Sequence, residues 1–197
     1  MAVVSGAAVV SVLRRGVARL RDGPAVLAQP GGGWRWRSAF WDRAGTDRGA
    51  AALQVLGPGV KLCHDSRHPV PADWRPGRGL RLQTGAFDGS FLSLILDPPG
   101  GCAGLGPHHL IAVAFDLRGA AGPVHVRLNL RNGVNLERDI CTLSGEGPQV
   151  AEFDLFHLPM NPDLLGGMWL DLFLPAVAGA EVVIAEAVVS CRPRAAF

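Results

Sequence analysis

Two segments of the chain carry side chains whose types and spacing suit recognition of a polyhydroxylated ligand. In Val124–Arg131, the apolar residues Val124, Val126, Leu128 and Leu130 alternate with His125, Arg127, Asn129 and Arg131. In 168–174, Met168, Leu170, Leu172 and Leu174 alternate with Trp169, Asp171 and Phe173. A period of two in a strand turns one set toward a core and the other outward. If both segments lie in one sheet, its outer surface presents Trp169, Asp171, Phe173, Arg127, Asn129 and His125. These six are the candidate ligand-binding residues. A flat ring packs on the apolar face of a sugar, while amide, guanidinium and carboxylate groups bond pairs of hydroxyls. The competing reading is that a helix, the N-terminal arm or a neighbouring subunit covers the same face, because sheets often bury both sides.

Other constellations promise less. Cys63, His64, Asp65 and His68 form a cluster in which two histidines four apart would share a helix face and could ligate a metal. Pro69 and Pro71 oppose that helix, so no metal site is expected. Trp34-Arg35-Trp36-Arg37 puts both indoles on one face of a strand and both guanidinium groups on the other. Such interleaving can stack on bases or sugar rings; the commoner arrangement is core tryptophans on an edge strand with solvated arginines. The turn from Gly100 to Pro107 lacks the helix and the Lys-Ser/Thr ending of a phosphate cradle. No GxSxG, HExxH or GxGxxG motif occurs, and no spacing pairs the carboxylates Asp97, Glu137, Asp154, Asp171 and Glu186 across a cleft. The expectation is a binding protein without cofactor, not an enzyme; the last alternative, a sandwich-fold hydrolase, needs two carboxylates facing each other in a cleft.

The elements that must position these residues are short strands. Ser90–Leu96 is an apolar run closed abruptly by Asp97-Pro98-Pro99-Gly100, too short for an ordinary helix, and reads as a buried central strand. Leu110–Leu117, Val150–Leu155 and Glu181–Cys191 share that grammar, with Gly and Pro between them. This rhythm predicts an all-β fold, an antiparallel β-sandwich of jelly-roll type, as a single domain over 34–197. Residues 57–79, with Pro58, Pro69, Pro71 and Pro76, read as the least regular region. Residues 1–33 read as an N-terminal arm or short amphipathic helix, with Val9, Val10, Leu13, Val17 and Leu20 at near-helical spacing beside Arg14, Arg15, Arg19 and Arg21. Its apolar run precedes the arginines, the reverse of a secretory signal, and is too short to span a bilayer. Cytoplasmic synthesis without a signal peptide, and no stable membrane insertion, are therefore expected.

Composition agrees with a folded binding domain. Of the 197 residues, 48% are hydrophobic, enough for one domain with a substantial core. A net charge of +2 argues against a general nucleic-acid binder. The four cysteines, Cys63, Cys102, Cys141 and Cys191, are too far apart for a zinc knuckle or redox pair and are expected as reduced thiols.

The strings GSFLSLILD (89–97), VRLNLRNGVNLE (126–137), EFDL (152–155), MWLDLFL (168–174) and SCRPRAAF (190–197), in that order, resemble a bacterial family known as a domain of unknown function. The resemblance covers roughly the last 110 residues, with a weaker echo at Trp34–Trp41 and at KLCHD (61–65). It transfers no activity and no site residues. A more distant likeness, in strand rhythm alone, is to jelly-roll carbohydrate-binding modules. Families of this kind occur in bacteria that make phage-like gene transfer agents, whose head spikes touch surface polysaccharide. The outward residues of the two alternating strands thus lead to the expectation of a polysaccharide-recognising module; the alternative is a spike-base component of such a particle, making subunit contacts and released with it, with homo-oligomers allowed.

Overall fold

The computed structural model describes residues 26–29, 33–119 and 122–195. The helix expected over 9–20 lies outside the described residues. Fourteen strands follow in chain order. The first seven are β1 (Val26–Gln29), β2 (Gly33–Trp36), β3 (Gly45–Asp47), β4 (Leu53–Gly57), β5 (Val60–His64), β6 (Ala72–Arg75) and β7 (Gly79–Gln83). The second seven are β8 (Leu92–Leu96), β9 (His109–Arg118), β10 (Val124–Asn132), β11 (Asn135–Leu143), β12 (Gly147–Asp154), β13 (Leu165–Leu174) and β14 (Glu181–Pro193).

Every strand pair is antiparallel, and the second half of the chain pairs in a nested order. β10 pairs β11, β9 pairs β12, β8 pairs β13 and β7 pairs β14. A long hairpin rolled in this way distributes its strands over two sheets in the orders β8-β13-β10-β11 and β7-β14-β9-β12. This is the jelly roll. The earlier strands widen it. β5 and β4 extend the first sheet beyond β8 to six strands, called sheet B here. β6 and β3 extend the eight-stranded sheet A beyond β7, and β2 and β1 attach to the other half of the same edge of β14. β1 thus carries part of the segment assigned to an arm into the sheet.

Strand β14 serves two partners on one edge, β7 over Glu181–Ile184 and β2 over Val189–Cys191, and on its other edge its register against β9 shifts between Ile184 and Ala187. Gly79 makes the approach possible: its φ is +77°, and a Cβ there would lie 2.2 Å from the Ile184 carbonyl oxygen. At the tip of the β10–β11 hairpin, Gly133 supplies the positive φ of 62° that a two-residue turn takes.

The core lies between the sheets. From sheet B come Leu62, Leu92, Leu94, Leu96, Val126, Leu128, Leu170 and Leu172, and from sheet A come Leu80, Leu82, Ile111, Val113, Phe115, Leu117, Phe153, Val182 and Ile184. Full burial of such side chains contributes about 1.5–3 kcal/mol each. Trp34 and Trp36 are also buried, so neither offers a stacking surface. The solvated arginines expected beside them are a correction. β2 lies between β1 and β14, not at an edge, and the Arg37 side chain is 10% exposed, bonded to Asp42 and Glu186. The 57–79 region is likewise more regular than its prolines suggest. They sit in or beside the connections, Pro58 between β4 and β5 and Pro76 between β6 and β7, where no ladder N–H is needed.

Candidate functional site

The two alternating segments are adjacent strands, β10 and β13, in the middle of sheet B. Their register sets His125 beside Phe173, Arg127 beside Asp171 and Asn129 beside Trp169. All six predicted residues share the outer face. Around them the same face collects Ile95 and Ser93 from β8, Cys63 from β5, and Phe91, forming an open trough of about 370 Å³ with Arg127, Trp169, Asp171 and Phe173.

The centre of the trough is a fixed polar cluster. Arg127 donates to Asp171 Oδ2 from Nε at 3.0 Å and from Nη2 at 2.7 Å. Asn129 donates from Nδ2 to the same oxygen at 2.9 Å. Asn129 is 1% and Asp171 4% exposed, although both belong to the outward set. Three donors on one carboxylate oxygen offset the cost of burying its charge. The consequence is geometric: Asp171 and Asn129 hold Arg127, and the surface open to a ligand is made by Arg127, Trp169, Phe173 and Phe91. The Arg127 guanidinium lies 4.7 Å from the centroid of Phe173, and Phe91 meets Phe173 edge to face at 6.3 Å. His125 is exposed at the margin, its Nδ1 2.9 Å from Thr142 Oγ1 on β11.

Burial pushes the Cys63 thiol above its ordinary pKa, and the nearby Asp171 and Asp65 carboxylates add to the shift. A thiol in that state is a weak nucleophile. Asp171 is the one carboxylate lining the trough among the described residues. His64, next to Cys63, turns inward and is buried beside Gln54, while His68 is exposed. Among the described residues no group of His, Cys, Asp and Glu is arranged to hold a metal ion, and the four cysteines are free thiols.

One end of the trough is organised by an acid of the Cys63–His68 cluster, Asp65. Asp65 accepts from the Ser90 and Phe91 N–H groups at 2.7 and 3.1 Å and from Ser90 Oγ at 2.5 Å. The Ser90 hydroxyl, then these backbone donors, hold its carboxyl below the usual range. Behind it, Asp88 accepts from Arg67 N and Nε and from Ser66 Oγ, which lowers its pKa to about 2. These bonds fix the backbone that presents Phe91.

Sequence reasoning missed Phe91, Ser93 and Ile95. The apolar run around them masks an alternation in which Leu92, Leu94 and Leu96 go inward and the intervening residues line the trough. A serine at every-second spacing from Phe91 and Ile95 was the available signal.

A family model described as "Family of unknown function (DUF6478)" matches residues 8–197. The chain belongs to this family. The match to DUF6478 reaches well beyond the last 110 residues that carried the resemblance. Among curated proteins none matches the chain in sequence. Solved structures similar to this DUF6478 chain include a family 29 carbohydrate-binding module from Piromyces equi, at 8% identity and TM-score 0.40, covering 75% of this chain and 90% of the module. A family 30 carbohydrate-binding module aligns at 11% identity and TM-score 0.40, over 79% and 86% of the two chains. A family 11 module from Clostridium thermocellum, in complex with a β-1,3-1,4-mixed-linked tetrasaccharide, aligns at 12% and TM-score 0.38, over 78% and 91%. What the outer face can bind follows from its own residues.

Proposed function

We propose that this protein is a non-catalytic polysaccharide-binding module whose binding surface is the outer face of sheet B. The observation that carries this reading is the trough of Trp169, Phe173 and Phe91 around an Arg127 already fixed by Asp171 and Asn129. Rings supply flat apolar area, and a guanidinium whose Nη1 has no hydrogen-bond partner among the described residues supplies directed donors to hydroxyl or ring oxygens. Since the polar group is held before a ligand arrives, little ordering cost remains on binding. An open trough suits a chain that runs through it. The glycan in this reading is an extended surface polysaccharide such as a bacterial capsule. The test is retention of the purified protein on capsular polysaccharide in affinity electrophoresis, with Trp169→Ala as the variant. Retention should fall at least tenfold in the variant while its circular dichroism is unchanged. Equal retention of variant and wild type, or no retention of a folded wild type by any polysaccharide, would overturn the reading.

A second reading, a structural component of a phage-like particle of the gene-transfer-agent kind, is favoured by one feature. The edge strand β11 and its turn expose Val134, Leu136 and Ile140, apolar residues at an unpaired sheet edge. Co-sedimentation with particles from the source cells, abolished by Ile140→Lys, is the outcome expected of it.

A further inference from the structure

Charges on the outer face of sheet B are not evenly matched. Across its centre the cations are neutralised in place: Arg127 pairs with Asp171, and Lys61 with Asp97 at 3.1 Å. Beyond Trp169, toward β11, the balance changes. Arg138 stands directly across from Asn129, which stands directly across from Trp169. Arg131 follows on the same face of β10, one alternation beyond Asn129. Both arginines are exposed, and neither has an ion-pair partner among the described residues. The nearest acids in sequence, Glu137 and Asp139, alternate to the inner side of β11. At the opposite end of the trough the unmatched charge is negative, that of Asp65, whose carboxylate among the described residues accepts from Ser90, Phe91 and its own backbone N–H and has no ion-pair partner. The face therefore has a basic end and an acidic end, with the aromatic trough between them.

We infer that the glycan recognised by this face is anionic, bearing carboxylate groups, and that Arg131 and Arg138 bind those groups beside the sugar stacked on Trp169. This rests on the polysaccharide reading of the trough and specifies its ligand. Arg138 is two interstrand spacings from Trp169, about 10 Å across the sheet, so the acid it meets belongs to a neighbouring sugar and not the stacked one. A guanidinium engages a carboxylate through two parallel N–H bonds, which gives direction as well as charge. The Asp65 end repels such groups and sets which way the chain lies.

The test uses the full-length protein and matched probes: polygalacturonate, alginate and hyaluronan, each against its carboxyl-reduced derivative, which keeps the backbone and loses the charge. Wild type should be retained at least tenfold more strongly by one or more of the acidic forms. Arg131→Gln with Arg138→Gln should abolish that preference but keep residual retention, and Trp169→Ala should remove retention by both forms. The control is Arg78→Gln, an exposed arginine between β6 and β7 in sheet A, which should change nothing. Equal retention on acidic and reduced forms, with loss in Trp169→Ala, would overturn the anionic ligand and leave the polysaccharide reading standing. A preference that survives the double substitution, or falls equally with Arg78→Gln, would overturn the role of these two arginines. Failure of every probe to bind a folded wild type would overturn both.

Discussion

On sheet B, Arg127 reaches one strand sideways to Asp171 and stays in the floor of an open trough. On sheet A, Arg37, just past β2, reaches the bulge of β14 at Glu186 and turns its other side to Asp42. The acids are comparably covered, with side-chain exposures of 6% for Asp171 and 12% for Glu186. The cations are not: Arg37 is 10% exposed and Arg127 31%. Burial works against the Arg37 charge, but the hydrogen bonds to Asp42 and Glu186 outweigh it and raise its pKa. Arg37 is thus used up within the fold, a cross-link closing a bulge, whereas Arg127 is anchored on one side and keeps the other open. The lesson is that the same ion pair either closes the fold or leaves a guanidinium available to a ligand, according to how much of it its acids leave uncovered.

The largest effect expected from breaking this contrast is at Asp171. Asp171→Ala strands a half-buried Arg127 and leaves Asn129 Nδ2 only its long contacts to the Arg127 and Trp169 carbonyl oxygens. The cost should be about 2–3 kcal/mol, below the range for a fully buried pair because Arg127 remains partly solvated. Thermal unfolding should shift down by roughly 4–12 °C, and polysaccharide retention should be lost as well. Trp169→Ala should separate the two consequences, with binding lost and the melting temperature nearly constant. Glu186→Ala should do the reverse. Arg37 retains Asp42, so unfolding should become easier by about 1–2 kcal/mol while retention stays at the wild-type level. A comparable loss of binding in Glu186→Ala would show that the two faces are coupled and not independent.

The smallest effect concerns acid. The folded-state pKa of Asp88 is lowered to about 2 from 3.8, and that of Asp65 is also lowered. A depressed carboxylate stabilises the fold above its unfolded value and ceases to do so as pH falls through its folded one. The loop carrying Phe91 should therefore hold at pH 5 and loosen between about 4 and 2, seen as reduced protection of the Ser90 and Phe91 amides against hydrogen exchange, relative to the intrinsic rate at each pH, before global unfolding. Unchanged protection at pH 2 would mean these bonds do not hold the loop.

What could be read from the sequence tracks how clean each alternation is. β10 and β13 display period two without interruption, so their outward residues were legible down to the individual side chain. The adjacency of the two was not, since β11 and β12 intervene in the chain and only the rolled topology brings them together. β8 concealed its face because Ile95 and Phe91 are apolar on both counts. β5 to β7 were hidden by short length and by prolines that fall beside strands. The burial of Asn129 and Asp171 could not be foreseen, because it depends on Arg127 and its neighbours covering them from the outside.

The nested pairing of β7 to β14 also orders events in time. The β10–β11 hairpin closes across two residues, whereas Val182 meets Leu82 across 100 positions of chain. Loop closure favours the near contact first, so the hairpin is positioned to nucleate and the β7–β14 edge to zip last. The strand pair that carries Arg127 and Asp171 assembles around that early hairpin, while sheet A is still incomplete. During synthesis β14 emerges after every strand it must join, so the outer face of sheet B can take shape before β14 is made, and sheet A waits for that thirteen-residue strand.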